Sequence, residues 1–195
     1  MSYRVAAGEA ASERRELGSR FFAFLAPAPG VAAAQAFVEA LRRRHPDATH
    51  HCFAWRIGWP PVERSSDAGE PAGTAGPPML GALRAAQVTD VVAVVVRWFG
   101  GTRLGKGGLV RAYGGAVRDA LASLPVRQER ERVRVIALCP PERAGLVRRL
   151  LRPDAVELVA ERWAERVELE LAVAPERRDA LLAELADLGV EARAL

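Results

Sequence analysis

Between Val91 and Val117 the chain reads VVAVVVRWFGGTRLGKGGLVRAYGGAV, a stretch rich in the residue types that hold phosphate. The apolar run Val91 to Val96 fits a strand buried on both faces. Arg97 follows it. Then come Gly100, Gly101, Gly105, Gly107 and Gly108, with Arg103 and Lys106, the only lysine of the chain, among them. A helix begins at once. A strand, a basic glycine-rich loop and a helix start together favour an anion, because free backbone N–H groups and the helix dipole both point at it. Gly100, four residues, Gly105 and Lys106 also match GxxxxGK, the phosphate loop of nucleotide hydrolases. Gly107 stands where that motif needs the Ser or Thr that binds Mg²⁺, which handicaps a hydrolase at its metal. The same glycines equally suit a tight turn that packs helix closely on strand.

The helix has two legible stripes. Leu109, Ala112, Tyr113, Ala116, Val117, Ala120, Leu121 and Leu124 recur at helical spacing and predict the buried face. Opposite them lie Arg111, Gly114, Gly115 and Arg118, two arginines two turns apart around two residues without side chains. Glycine inside a helix costs about 1 kcal/mol relative to Ala, so the pair predicts close approach by a backbone or a phosphate. The expected phosphate or RNA contacts are Arg97, Gly100, Gly101, Arg103, Gly105, Lys106, Gly107, Gly108, Arg111 and Arg118.

A second polar block spans Ser66 to Leu80, SDAGEPAGTAGPPML. Asp67 and Glu70 have the chemistry of an acid and a base. They also suit ordering of the loop, by turn bonds from Asp67 and a cap or ion pair from Glu70. His51 and Thr74 complete this set of candidate residues. His50, His51 and Cys52 are adjacent, with His45 nearby, but successive strand residues point to opposite faces and cannot all bind one ion. There is no CxxC and no HExxH. No metal and no cofactor are expected, and Cys52 lacks the arrangement of a thiol nucleophile. No complete catalytic constellation emerges.

At this point the residues resemble the YigZ/IMPACT family, whose signature is R-[YWF]-[YF]-G-G-x-x-L-G-x-G-G-L-x-[RK]-A-Y. Ser66 to Leu80 is similar to that family's S-D-D-G-E-P-x-G-T-A-G-x-P-x-L, and Ala48 to Ala54 to its A-x-H-x-C-x-A. Ser19-Arg20-Phe21 resembles its opening motif. Ala68 departs from the usual second Asp, and Lys106 replaces a frequent Thr, adding charge to the loop. The resemblance implies a first domain like the second domain of ribosomal protein S5 and a second like the last domain of elongation factor G. It also implies eukaryotic relatives that regulate the amino-acid-starvation response at the ribosome.

The elements that position these motifs can be read in outline. Phe21 to Leu25 predicts a strand. Val31 to Arg44 predicts a helix with Ala34, Phe37, Val38 and Leu41 inward, ended by Pro46. Its last turn, Arg42-Arg43-Arg44, suits the helix dipole or contact with RNA. His51, Phe53 and Trp55 alternate as on one strand face. Residues 60–78 read as loop and Met79 to Gln87 as a short helix. Further on, the Arg132-Val133 and Arg166-Val167 pairs and the Pro141-Glu142-Arg143 and Pro175-Glu176-Arg177 triplets recur at a spacing of 34. Each copy reads strand, helix, strand, which together give a ferredoxin-like βαββαβ unit. The expected fold is α+β in two domains, 1–124 of IMPACT type and 125–195 ferredoxin-like, joined near Pro125 to Glu131.

Composition sets the remaining bounds. Of 195 residues half are hydrophobic, enough for a core, and no run approaches the length of a membrane span. The first twenty residues carry acids and no apolar run, so no signal peptide is expected. Cys52 and Cys139 are expected as free thiols in a cytoplasmic protein. The net charge is +4, and residues 1–124 hold 15 basic against 10 acidic residues, so the excess sits with the glycine loop. The expected function is a non-catalytic, translation-associated binding protein that recognises RNA, the ribosome or a ribosome-bound partner through that loop, with no membrane and an open oligomeric state. The alternative is an enzyme acting on a phosphorylated small molecule or nucleotide held by the same loop.

Overall fold

The run Val91 to Val96 lies at the centre of a five-stranded antiparallel sheet with both faces covered. In the computed structural model, which describes residues 2–195, the chain divides into two compact units, Ser2–Glu129 and Arg130–Leu195. The first unit contains β1 (Ser2–Ala6), β2 (Ala10–Glu16), β3 (Ser19–Pro27), α1 (Val31–Arg44), β4 (His50–Ile57), β5 (Val62–Ser66), α2 (Gly76–Ala85), β6 (Val88–Thr89), β7 (Val91–Trp98), α3 (Gly105–Leu121) and β8 (Val126–Arg130), whose last residue crosses the division. The large sheet has the order β2-β3-β7-β4-β5, and β6-β1-β8 form a smaller one.

Strand alternation sorts the core into two layers. Phe21, Ala23 and Leu25 of β3, Cys52 and Ala54 of β4, and Val91, Ala93 and Val95 of β7 pack with α2 and α3. Phe53, Trp55 and Ile57 of β4 and Val92, Val94 and Val96 of β7 pack with α1. A one-residue slip would exchange the two sets, so register is strongly specified. Helix α1 rests on β4 and β7. The β2–β3 side of that face opens as a cleft.

Three polar segments depart from the expected elements. β2 and β5, AASERRE and VERSS, are the edge strands of the large sheet. Edge strands carry charge that discourages pairing with other chains, and this erases the apolar alternation that reveals a strand. The charged run expected to join the domains is β8, which lies beside β1, so the division falls after Glu129 rather than after Leu124. Helix α2 begins at Gly76, before the expected Met79, with prolines in its first turn.

The second unit contains β9 (Val133–Cys139), α4 (Ala144–Arg148), β10 (Val156–Trp163), β11 (Val167–Val173), α5 (Arg178–Asp187) and β12 (Glu191–Ala194). The order β10-β11-β9-β12, antiparallel throughout, is the ferredoxin-like βαββαβ arrangement. Both Pro-Glu-Arg triplets form a 3₁₀ turn that leads into a helix. They then diverge: Arg177 pairs with Glu184 at 2.6 Å, whereas Arg143 donates to the carbonyls of Leu188 and Gly189 at 2.9 and 2.7 Å.

Limited trypsin digestion is expected to cut first after Arg130 or Arg132 and leave two stable fragments, read by mass spectrometry. First cuts inside either half, with that stretch protected, would place the division elsewhere.

Candidate functional site

The start of β3, the end of β7 and the start of β4 meet in one row. Phe21 and His50 both stand opposite Arg97 in register. Alternation along β7 puts Arg97 on the α2/α3 face, where the guanidinium is enclosed. Glu70 reaches it from the loop before α2. Its Oε1 accepts hydrogen bonds from Arg97 Nη1 at 2.5 Å and from the Tyr113 hydroxyl of α3 at 2.6 Å. The Arg97 and Glu70 side chains are only 6% and 3% exposed. Arg97 Nη2 donates to Ser19 Oγ at 3.2 Å, which also accepts the Gly100 N–H at 3.2 Å. The guanidinium lies 5.2 Å from the ring centre of Phe21 and 5.5 Å from that of Phe99. Arg97, expected among the phosphate contacts, is therefore a buried structural cation, because its strand position faces the core.

The remaining polar groups of this face are also committed. Cys52 Sγ donates to the Asp67 carbonyl at 3.0 Å, and burial pushes its thiol up to about 12, so at neutral pH it is not a thiolate nucleophile. Burial first, then Cys52 and Glu70, raises the Tyr113 hydroxyl, which stays a proton donor. His50 Nδ1 donates to the Ala68 carbonyl at 3.0 Å, which leaves Nε2 facing Glu70 Oε1 at 3.9 Å. His51, the histidine expected here, points to the opposite face, where Nε2 donates to the His45 carbonyl at 3.1 Å. Burial, the main cause, lowers its pKa. The signal that separates the two is the spacing of A-x-H-x-C-x-A, which puts His50, not His51, in phase with Cys52 and Ala54 on the inner face.

Asp67 organises the loop. Its Oδ1 accepts the N–H groups of Ala75 and Gly76 at 2.8 and 2.9 Å, and Oδ2 accepts that of Gly73 at 2.8 Å. It thus caps α2 from nine residues away. Burial works to raise its pKa, but the three backbone donors outweigh burial and lower it. Thr74 donates to the Pro71 carbonyl at 2.6 Å and closes a turn. Asp67, Glu70 and Thr74 therefore shape the loop around the buried row.

The glycine loop leaves the end of β7 along the outside. Gly100 packs directly on the backbone of Gly18 in the β2–β3 turn, where a Cβ would overlap the Gly18 carbonyl. Gly101 and Gly105 adopt φ of +89° and +68° and face open space. Gly107 and Gly108 lie in the first turn of α3. Gly114 and Gly115 are buried, not a docking groove: Pro78 of α2 lies against Gly114, and the Arg14 guanidinium crosses Gly115 to reach Asp119 at 2.9 Å. The close approach expected at these glycines is made by the protein's own α2 and β2.

Arg103, Lys106, Arg111 and Arg118 are exposed, and among the described residues none has a carboxylate partner. Arg111 Nη1 folds back to within 3.5 Å of where a Cβ on Gly107 would sit, as helix side chains lean toward the N-terminus. The first turn of α3 holds no acid, and among the described residues no side chain caps it. Free N–H groups, Arg103, Lys106 and Arg111 thus share the positive end of a helix dipole, an arrangement that an anion relieves, whereas Arg118, expected in the same set, lies in the last turn of α3. Among the described residues no group of three or more His, Cys, Asp or Glu is placed to hold a metal ion.

Residues 17–121 match the Impact N-terminal domain, more than half of the chain. The chain belongs to the IMPACT family. The Escherichia coli (strain K12) IMPACT family member YigZ is 54% identical over 114 residues, which cover 57% of this chain and 56% of that relative, so the match spans little more than half of its length. A Haemophilus influenzae IMPACT family member is 38% identical over 172 residues, covering 87% of this chain and 84% of its own. A crystal structure of a hypothetical protein superposes with a TM-score of 0.78 at 36% identity, covering 100% of this chain and 97% of that one. Each motif that resembles the family's sends residues to the buried row: Ser19, His50 and Cys52, Asp67 and Glu70, and Arg97 with Tyr113.

Three outcomes follow from this geometry. Glu70→Gln, which leaves Arg97 buried without a counter-charge, is expected to lose about 3–5 kcal/mol in urea unfolding. The double variant Glu70→Leu with Arg97→Met should lose less than the sum of its single changes. Asp67→Asn should be less stable than the parent by about 1–2 kcal/mol at neutral pH. Because the folded Asp67 pKa is depressed, its contribution is present above the ordinary carboxylate value of about 3.9 and is lost as pH falls through the folded value. Unfolding measured down a pH series should show the two proteins converging there. A constant difference would mean that the charge of Asp67 is not what caps α2.

Proposed function

We propose that this IMPACT protein is a non-catalytic, translation-associated binding module that meets RNA, free or within the ribosome, through its phosphates at the start of α3. The observation that carries the reading is the set of unmatched cations Arg103, Lys106 and Arg111 around the uncapped helix start, with the unmatched Arg118 further along the same helix, in its last turn. Many other arginines find carboxylates, as in Arg14 with Asp119, Arg56 with Glu63 and Arg148 with Glu161. Unpaired cations beside free N–H groups suit phosphate oxygens. Phe99, 48% exposed, stands at the head of the same loop and adds an apolar surface. The link to translation rests on what the family resemblance implies of eukaryotic relatives.

A catalytic reading has less to work with. Glu70 is engaged by Arg97 and Tyr113, Asp67 by three backbone donors, and Cys52 stays protonated. An acid or base must first give up these bonds before it can serve a substrate.

The test is equilibrium binding to labelled RNA across a salt series. Each phosphate of a single strand that is neutralised contributes about 0.7 to the slope of log K against log salt. Replacing Arg103 and Lys106 with Ala should lower that slope by about 1–1.5 and weaken binding equally for all sequences. The circular dichroism spectrum should be unchanged, since both residues are exposed. A double variant that binds as the parent does removes the loop from the RNA site. Binding of a phosphorylated metabolite with none of RNA would move the reading to the enzyme.

A further inference from the structure

On the sheet face opposite α3, a cleft of about 710 Å³ opens where α1 leaves β2 and β3 uncovered, within the range of small-ligand sites. Four aromatic rings line it. Phe22 and Phe24 alternate along β3, Trp98 ends β7 opposite Arg20, and His45 follows α1. Phe22 meets Trp98 edge to face at 5.6 Å, His45 meets Trp98 edge to face at 5.4 Å, and Phe24 stacks on His45 at 5.7 Å. The indole N–H of Trp98 donates to Asp47 Oδ2 at 2.8 Å, which fixes that ring in place.

The charges around the rings are sorted. Of the two lining carboxylates, Asp47 is held by Trp98, and Glu13 is held by Arg15 at 2.8 Å and Arg20 at 3.4 Å. Arg20 also lies 4.9 Å from the centre of the Phe22 ring. Arg44 lines the cleft and Arg43 is its neighbour; among the described residues neither has a carboxylate partner. The end of α1 thus places a free cation, Arg44, beside an aromatic floor, while Arg42 is paired with Glu39 at 2.6 Å. Rigid aromatic rings flanked by cations are the two components of single-strand recognition, since any base stacks and any phosphate pairs.

We propose that this cleft takes unpaired bases of single-stranded RNA, stacked on Phe22 and Trp98, with Arg44 on an adjoining phosphate. The choice of RNA rests on the functional reading above, while the residues are different ones. A peptide fits less well. An added β-strand would pair at the charged free edge of β2, in the plane of the sheet, and would not lie on the aromatic face, where the backbone of β3 and β7 is already paired on both sides. An amphipathic helix needs an apolar rim, and this rim is Arg20, Arg44, Glu13 and Asp47. The site also adjoins the loop in the chain, because Trp98 lies two residues before Gly100.

The test uses the full chain, a labelled short oligouridylate, and an RNA duplex of the same length. Trp98→Leu, which keeps an apolar side chain but removes the ring, should weaken binding of the single strand about tenfold and leave the duplex unchanged. Arg44→Ala, at an exposed position, should lower the single-strand salt slope by about 0.7 with the melting temperature unchanged. Ultraviolet crosslinks should fall on the tryptic peptides that begin at Phe21 and Trp98. Parent-like binding by both variants, with crosslinks elsewhere, overturns the cleft and leaves the α3 loop standing. A parent that binds neither RNA overturns the functional reading and with it this choice of ligand. Competition by uridine monophosphate as effective as by the oligomer overturns RNA in favour of a free nucleotide. A dimer in sedimentation that Trp98→Leu dissolves overturns it in favour of a second copy.

Discussion

One carboxylate oxygen ties the first unit together. Glu70 Oε1 takes the guanidinium of Arg97 from the sheet and the hydroxyl of Tyr113 from α3. A carboxylate is tolerated away from water only when its donors are already in place. The end of β7, the loop before α2 and the inner face of α3 are therefore conditional on each other. Arg97 in turn holds Ser19, which holds the Gly100 backbone, so the same bonds set where the glycine loop leaves the sheet. Polar residues scattered from position 19 to position 113 are drawn into an apolar layer for this reason.

This arrangement separates two kinds of polar residue. Those with the chemistry of catalysis, Asp67, Glu70, Cys52 and Tyr113, spend it on the fold. Those with ordinary surface chemistry, Arg103, Lys106, Arg111 and Arg118, have no internal use. In a chain where so many arginines are matched by acids, a charge without a partner says more about an outside ligand than a buried pair does.

Periodicity made much of this legible. The apolar stripe of α3 appears at the expected positions, and the central strand is buried as a continuous apolar run requires. The repeated Pro-Glu-Arg triplets mark equivalent turns in the second unit. What stayed hidden depended on partners distant in sequence. Arg97 ends an apolar run and reads as surface until Glu70, far upstream, is brought to it. Gly114 and Gly115 read as an open groove until Pro78 and Arg14 fill it. β2, β5 and β8 are polar edges with no alternation to betray them. The aromatic cleft joins positions 22, 24, 45 and 98, which no local window contains.

The backbone contact between Gly18 and Gly100 has a consequence for how this sequence can drift. At each position an added methyl group would run into the other's main chain, so neither change can be relieved by a second change at its partner. Compensation, the usual route by which packed pairs exchange sizes, is closed. The two turns it joins, one from the β2–β3 hairpin and one at the head of the cationic loop, are thus free to vary around the contact but not at it. Variation in ligand preference is channelled into the side chains that flank the loop, while the path of its backbone is inherited unchanged.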